Sequence, residues 1–211
     1  MTVFVLDQQV RRAGLVEGQS SIWRPIWRRR EGGMIVLVGY VSIEGQTRKI
    51  AEAVAAEIEK HGDRALLFNV GEMVEYGVDH PQAAILCAPV HSGRYPDPFV
   101  AFVSREADWL KSVPTAFVSV SLLIRSELED ERQEAQDFAD SLFVQTQWRP
   151  GMVHHAAGAL RYSEYDFFKR WMMRRMAARE GASTDVSQDH EFTDWTALAT
   201  FTTEFLKAAV Q

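Results

Sequence analysis

The sequence predicts an α/β fold: an open, doubly wound sheet of five parallel strands with helices on both faces. Three observations carry that expectation. Short runs such as "MIVLVG" and "AAILCA" are apolar almost throughout, as strands covered on both faces are. Segments of helical period separate them. The repeated alternation of strand and helix favours parallel pairing through crossover connections.

The first strand is read at Met34–Gly39. It breaks into a small polar loop, "VSIEGQT", which opens a helix with Ile50, Val54 and Ile58 on one face and His61-Gly62 as its stop signal. Ala65–Asn69 and Ala83–Ala88 read as the second and third strands. Pro96 and Pro98 introduce a helix lined by Phe99, Phe102 and Val103. The fourth strand is Thr115–Val120. The acidic run Glu127–Glu131 then suits the positive end of a helix dipole, and Ala135, Phe138, Ala139 and Leu142 line the helix it opens. Val153–Gly158 is the fifth strand. A last helix is expected from Trp195 to Ala209, with Asp194 or Thr193 as its N-cap.

At 211 residues, 46% hydrophobic and 25% charged, the chain is sized for one well-buried domain. Its single cysteine, Cys87, excludes an internal disulfide framework and suits a reducing cytoplasm; a buried small hydrophobe is its simplest role. No apolar run approaches the ~20 residues of a membrane-spanning helix, so a soluble or at most peripheral protein is expected. The net charge of −6 is unevenly spread, because residues 1–33 carry six Arg against three acidic residues and leave −9 to residues 34–211. An acidic body argues against nonspecific nucleic-acid binding. Arg-rich residues 1–33 also hold Trp23 and Trp27, a mixture that would suit an anionic membrane surface. They lack the apolar core of a secretion signal and are expected to be disordered, with Met34 a natural start for a folded domain over 34–211.

In doubly wound sheets ligands bind beyond the carboxyl ends of the strands, where strand order reverses. Three loops leave strand ends there: Tyr40–Thr47, Pro89–Pro98 and Ser119–Arg125. The first is the most informative. A nucleoside-triphosphate loop needs four residues between its glycines and then a lysine. Here five separate Gly39 from Gly45, and Gln46 stands where the lysine belongs. The spacing of a dinucleotide fingerprint is absent too. What remains is a hydroxyl-bearing loop, Ser42-Ile43-Glu44-Gly45-Gln46-Thr47, without a cation until Arg48. It suits a lone phosphate dianion held by backbone N–H groups, the two hydroxyls and the helix dipole. His154-His155 looks like a metal pair, but neighbouring strand residues point to opposite faces and no cysteine completes a cluster, so no metal site is expected.

The loop Ser42–Thr47 resembles the flavodoxin phosphate loop, T/S-x-T-G-x-T, in its place after the first strand. Glu44 replaces a threonine, and its carboxylate is expected to face solvent. Further on, "EGQTRKIA" (44–51), "TQWRP" (146–150), "AGALRY" (157–162), "TD" (184–185) and "FTDW" (192–195) follow in order. Over about residues 34–205 the chain thereby resembles the flavodoxin-type, quinone-dependent protoporphyrinogen IX dehydrogenases. The resemblance implies a sheet of strand order 2-1-3-4-5 and FMN as cofactor, its ribityl phosphate on the first loop. It implies oxidation of protoporphyrinogen IX to protoporphyrin IX in haem synthesis, a membrane quinone as acceptor, and a cytoplasmic protein in peripheral contact with the inner membrane. Backbone contacts to the flavin ring would come from Pro89, Val90, His91, Ser92 and Gly93, and from Ser119, Val120, Ser121 and Leu122. Gly93 would permit close approach. Tyr95 would either stack on the ring or simply pack at the start of a helix. His91 would either bond to reduced flavin or a propionate, or stay a solvated side chain.

Two loops depart from the family's pattern: "APVHSGRY" has His91-Ser92 where Arg-Tyr is usual, and "SVSLLIRSELEDER" is acidic where basic residues are usual. An electron-carrying flavodoxin that docks on protein partners through an acidic face is therefore the competing reading. The segment Arg161–Glu180 reads as a basic, aromatic helical insertion. Arg170, Trp171, Arg174 and Arg175 would meet an anionic membrane or the porphyrin, or else the helix packs on the sheet with its arginines snorkelling.

Overall fold

Strand β1 (Ile35–Tyr40) is buried at every position, as a central parallel strand must be. The computed structural model describes residues 33–72, 80–160 and 190–210. Helix α1 (Gln46–Lys60) follows β1 and leads to β2 (Arg64–Asn69). Then come β3 (Ala83–Pro89), α2 (Asp97–Arg105), α3 (Ala107–Ser112) and β4 (Thr115–Val120). A single 3-10 turn (Leu122–Arg125) precedes α4 (Glu129–Thr146) and β5 (Met152–Ala156). The two-residue strands β6 (Ala159–Leu160) and β7 (His190–Glu191) and helix α5 (Trp195–Ala209) complete the described chain.

The sheet runs β2-β1-β3-β4-β5, every neighbour parallel. Period-two alternation divides its side chains between two cores. Val36, Val38, Ile85 and Val118 pack against Ile50, Val54 and Ile58 of α1 and Leu198 and Phe205 of α5. Leu37, Leu86 and Phe117 face Phe99 and Phe102 of α2, Leu110 of α3, and Leu142 and Phe143 of α4. The helix after β1 therefore covers one face and the helices after β3 and β4 the other. The reversal of strand order falls between β1 and β3.

The expected strands are all present, within a residue or two of their predicted bounds. One correction concerns the fifth, which ends at Ala156 rather than Gly158. The carbonyl of Ala156 accepts from Ser121 N–H at 3.0 Å, the last bond that β4's side can supply. Beyond it the chain turns to a new partner: Gly158 accepts from Phe192 N–H, and β6 pairs antiparallel with β7. A short helix not expected from sequence, α3, brings Trp109 and Leu110 into the core.

The "TQWRP" segment is structural. Trp148 is fully buried, edge-on to Phe117 and Phe143, with its Nε1–H donated to Thr115 Oγ1 at 3.3 Å. Gln147 ends α4 in the left-handed region at φ 54°, which swings the tryptophan under the sheet. Arg149 pairs with Asp140 at 2.9 Å and lies over the Phe143 ring.

His154 and His155 point to opposite faces, as strand geometry requires. His154 stacks on Phe201 of α5, while His155 senses Asp140 of α4 and its Nδ1 is buried without a partner among the described residues. Among those residues no group of side chains could hold a metal ion, and no helix is long and apolar enough to cross a membrane.

Burial pushes both imidazoles below the ordinary histidine pKa of about 6.5. The folded state thus binds these protons less readily than the unfolded chain, so stability is complete well above pH 6.5 and falls as acid protonates the unfolded form first. The melting temperature should drop between about pH 7.5 and 5.5, and His154→Gln with His155→Gln should flatten that drop. An unchanged slope in the double variant would assign it to other groups.

Candidate functional site

The strand ends at the reversal point are tied into one edge by main-chain bonds that continue past the sheet. Val41 N–H donates to Cys87 O at 3.2 Å, Val90 N–H to Val120 O at 2.8 Å and Ser121 N–H to Ala156 O at 3.0 Å. The loops after β1, β3 and β4 consequently leave side by side, as the sequence predicts.

In the first loop Gly45 adopts φ 91°, ψ −16°, a left-handed conformation that only glycine takes without strain. Its N–H donates to Ser42 Oγ at 3.0 Å, folding the loop into a short hook. Helix α1 begins immediately after. No side chain caps it, and its first turn contains no acidic residue. The first N–H groups of the helix thus keep their partial positive charge, with Ser42 and the buried Thr47 beside them. This donor set fits a phosphate dianion. Glu44 is half-buried, and Ile43 is the loop's outward side chain, 51% exposed.

The second loop is a tight reversal. His91 N–H bonds to Arg94 O at 2.9 Å and Arg94 N–H to His91 O at 3.2 Å. The two residues between, Ser92 and Gly93, have φ of 51° and 76°, the mirror-image turn that suits the twist of flanking strands. A Cβ on Gly93 would come within 3.8 Å of Phe138, so the turn lies against α4. His91 and Ser92 are exposed, Pro89 and Val90 half-buried.

Tyr95 is not a surface aromatic. Only 4% exposed, it packs edge-on to Phe117 and shares a 2.7 Å hydrogen bond with Ser119 Oγ. The packing alternative describes it, and its ring is unavailable for stacking on a ligand. Burial raises its phenol pKa well above the ordinary range. Ser119 and Val120 are likewise buried strand residues. Ser121 opens the third loop by accepting Leu123 N–H at 3.2 Å, which starts the 3-10 turn containing Leu122. Arg170, Trp171, Arg174 and Arg175 lie outside the described residues.

Sequence reasoning missed one participant. Thr193 Oγ1 accepts from Gln46 Nε2 at 2.9 Å and donates to Ala157 O at 2.8 Å. Beyond it, Lys49 pairs with Glu191 at 3.1 Å, and Asp194 caps α5 through Ala197 N–H. The "FTDW" run carried the signal, but only the helix cap and the family resemblance were read from it.

The Flavodoxin domain family model matches residues 37–187. The protoporphyrinogen IX dehydrogenase (quinone) of Escherichia coli strain K12 is 32% identical over 171 residues, 81% of this chain and 94% of that protein. The protein of the same name from Leishmania major is 26% identical, covering 80% of this chain and 73% of its own length. A short-chain flavodoxin associated with a bacterial microcompartment superposes with a TM-score of 0.51 at 13% identity, over 83% of this chain and 99% of that one, a likeness of fold alone.

The Tyr95–Ser119 pair yields a test of the packing role. Tyr95→Phe leaves the buried Ser119 hydroxyl without its partner and should cost about 1–2 kcal/mol in denaturant unfolding. Adding Ser119→Ala should cost little more, because both ends of the bond are then gone. Additive losses would mean the two groups are not coupled.

Proposed function

This chain belongs to the flavodoxin-domain family, in the group of the quinone-dependent protoporphyrinogen IX dehydrogenases, and from that premise we propose that it binds FMN, oxidises protoporphyrinogen IX to protoporphyrin IX and delivers the electrons to a quinone. The observation that carries the reading is the uncapped start of α1 behind the Ser42–Gly45 hook, at the reversal point of the sheet. Its donors suit a phosphate monoester and lack the cation that a triphosphate would require.

FMN, when bound, supplies the two-electron redox chemistry between donor and quinone. The protein supplies position. Ser42, Thr47 and the amides of Gln46 and Thr47 would hold the phosphate, with Gly45 shaping the hook and Ile43 and Glu44 completing the loop. Pro89 to Gly93 and Ser121-Leu122 would flank the ring with backbone groups, the Ser92-Gly93 turn giving them a set geometry. Tyr95, Ser119 and Val120 support these loops from within the core. Arg170, Trp171, Arg174 and Arg175 are proposed to bring the protein to the cytoplasmic surface of a membrane, where a lipid-soluble quinone resides. The exposed acidic residues Glu127, Glu129 and Asp130 favour the second reading, an electron carrier for protein partners.

Two experiments separate these. Ser42→Ala with Thr47→Val should weaken FMN retention several-fold or more, and unchanged retention would move the phosphate elsewhere. Mixed anaerobically with protoporphyrinogen IX and no quinone, the FMN-loaded protein should lose its flavin absorbance as porphyrin fluorescence rises. A flavin that stays oxidised would remove the porphyrinogen as donor and leave the carrier reading.

A further inference from the structure

We propose that Thr193 is a positioning residue for the phosphate loop and acts through the side chain of Gln46; the inference rests on the FMN reading above. Gln46 is the first residue of α1, so its backbone N–H is among those a phosphate would take, while its own side chain is buried. That side chain ends on Thr193, whose hydroxyl accepts from Nε2 at 2.9 Å. A hydroxyl has one proton, and here it goes to Ala157 O at 2.8 Å, which leaves the lone pairs for Gln46.

Thr193 is itself held on both sides. Phe192 N–H bonds to Gly158 O at 3.2 Å, and Asp194 accepts Ala197 N–H at 2.9 Å at the head of α5. The nearby Lys49–Glu191 pair joins the same two segments, but it is exposed and screened by salt. Within the loop Gly45 N–H bonds to Ser42 Oγ, and no side chain caps the helix. The Gln46–Thr193 tie therefore joins the first turn of α1 to the segment ahead of α5 and helps set the direction of its first amides. Losing the hydroxyl would remove the buried end of that tie, leave the Gln46 side chain only the exposed Glu191 carboxylate, and loosen that end of the helix.

A loosened phosphate cradle has a signature that general destabilisation lacks: it affects FMN and spares riboflavin, which has no phosphate. The full-length chain is loaded with either flavin, and release is followed as free-flavin fluorescence. Thr193→Val should release FMN about tenfold faster with riboflavin release unchanged, and Thr193→Ser should restore the slow rate. Gln46→Leu should match Thr193→Val, and the double variant should add nothing. FMN release that stays at the wild-type rate, or riboflavin release that accelerates equally, would overturn the proposal. A wild-type chain that holds riboflavin as firmly as FMN would instead overturn the phosphate reading itself, before any variant is compared.

Discussion

In a parallel sheet each strand's terminal carbonyl needs a donor, and the chain just past the neighbouring strand is the nearest source. Here that requirement is met four times along one edge. Val70 bonds to Tyr40, Val41 to Cys87, Val90 to Val120 and Ser121 to Ala156. Each bond fixes the first residue of a loop before its side chains contribute anything. The hook at Ser42–Gly45, the reversal at Ser92-Gly93 and the turn at Ser121 all start from anchored backbone, which is why flexible connecting chain can form a definite site.

Behind that edge the support is aromatic. Tyr95, Phe99, Phe117, Phe143 and Trp148 touch in sequence beneath the second and third loops, with ring centroids 5.4–6.2 Å apart. Two buried hydroxyls, Ser119 and Thr115, pair with the polar atoms of the outermost rings. These bonds avoid the penalty of burying a phenol or an indole N–H alone. In the "WRP" run Trp148 thus contributes to packing, while Arg149 stays at the surface over Phe143.

The parts of the fold written in repeating patterns were legible. The strands announce themselves by unbroken apolar runs because β1, β3 and β4 are covered on both faces. Helix α1 announces itself by Ile50, Val54 and Ile58, and the hook after β1 by its glycine and hydroxyls. Helix α3 was missed because six residues make fewer than two turns, too few to repeat a pattern, and the end of β5 because Val153 to Gly158 is apolar at both ends whatever its pairing. Tyr95 illustrates a different limit: a loop aromatic looks alike in sequence whether it meets a ligand or the core, and only the position of Ser119 beneath it decides. The Gln46–Thr193 bond spans 147 positions and belongs to no local motif. Contacts of that kind are set by the meeting of two distant segments and leave no periodic trace.

The two-stranded ribbon of β6 and β7 has a consequence for how such a chain can change over time. It brings Leu160 opposite His190, so residues 161–189 begin and end at the same place. A segment whose ends are already joined adds little to the cost of folding when it grows, about 0.6 kcal/mol for each doubling of a flexible loop. Chain inserted between β6 and β7 can therefore vary in length at little cost to the rest of the fold. The fold can thus accept change between these two strands while the strand-end edge of the sheet keeps its own main-chain anchors.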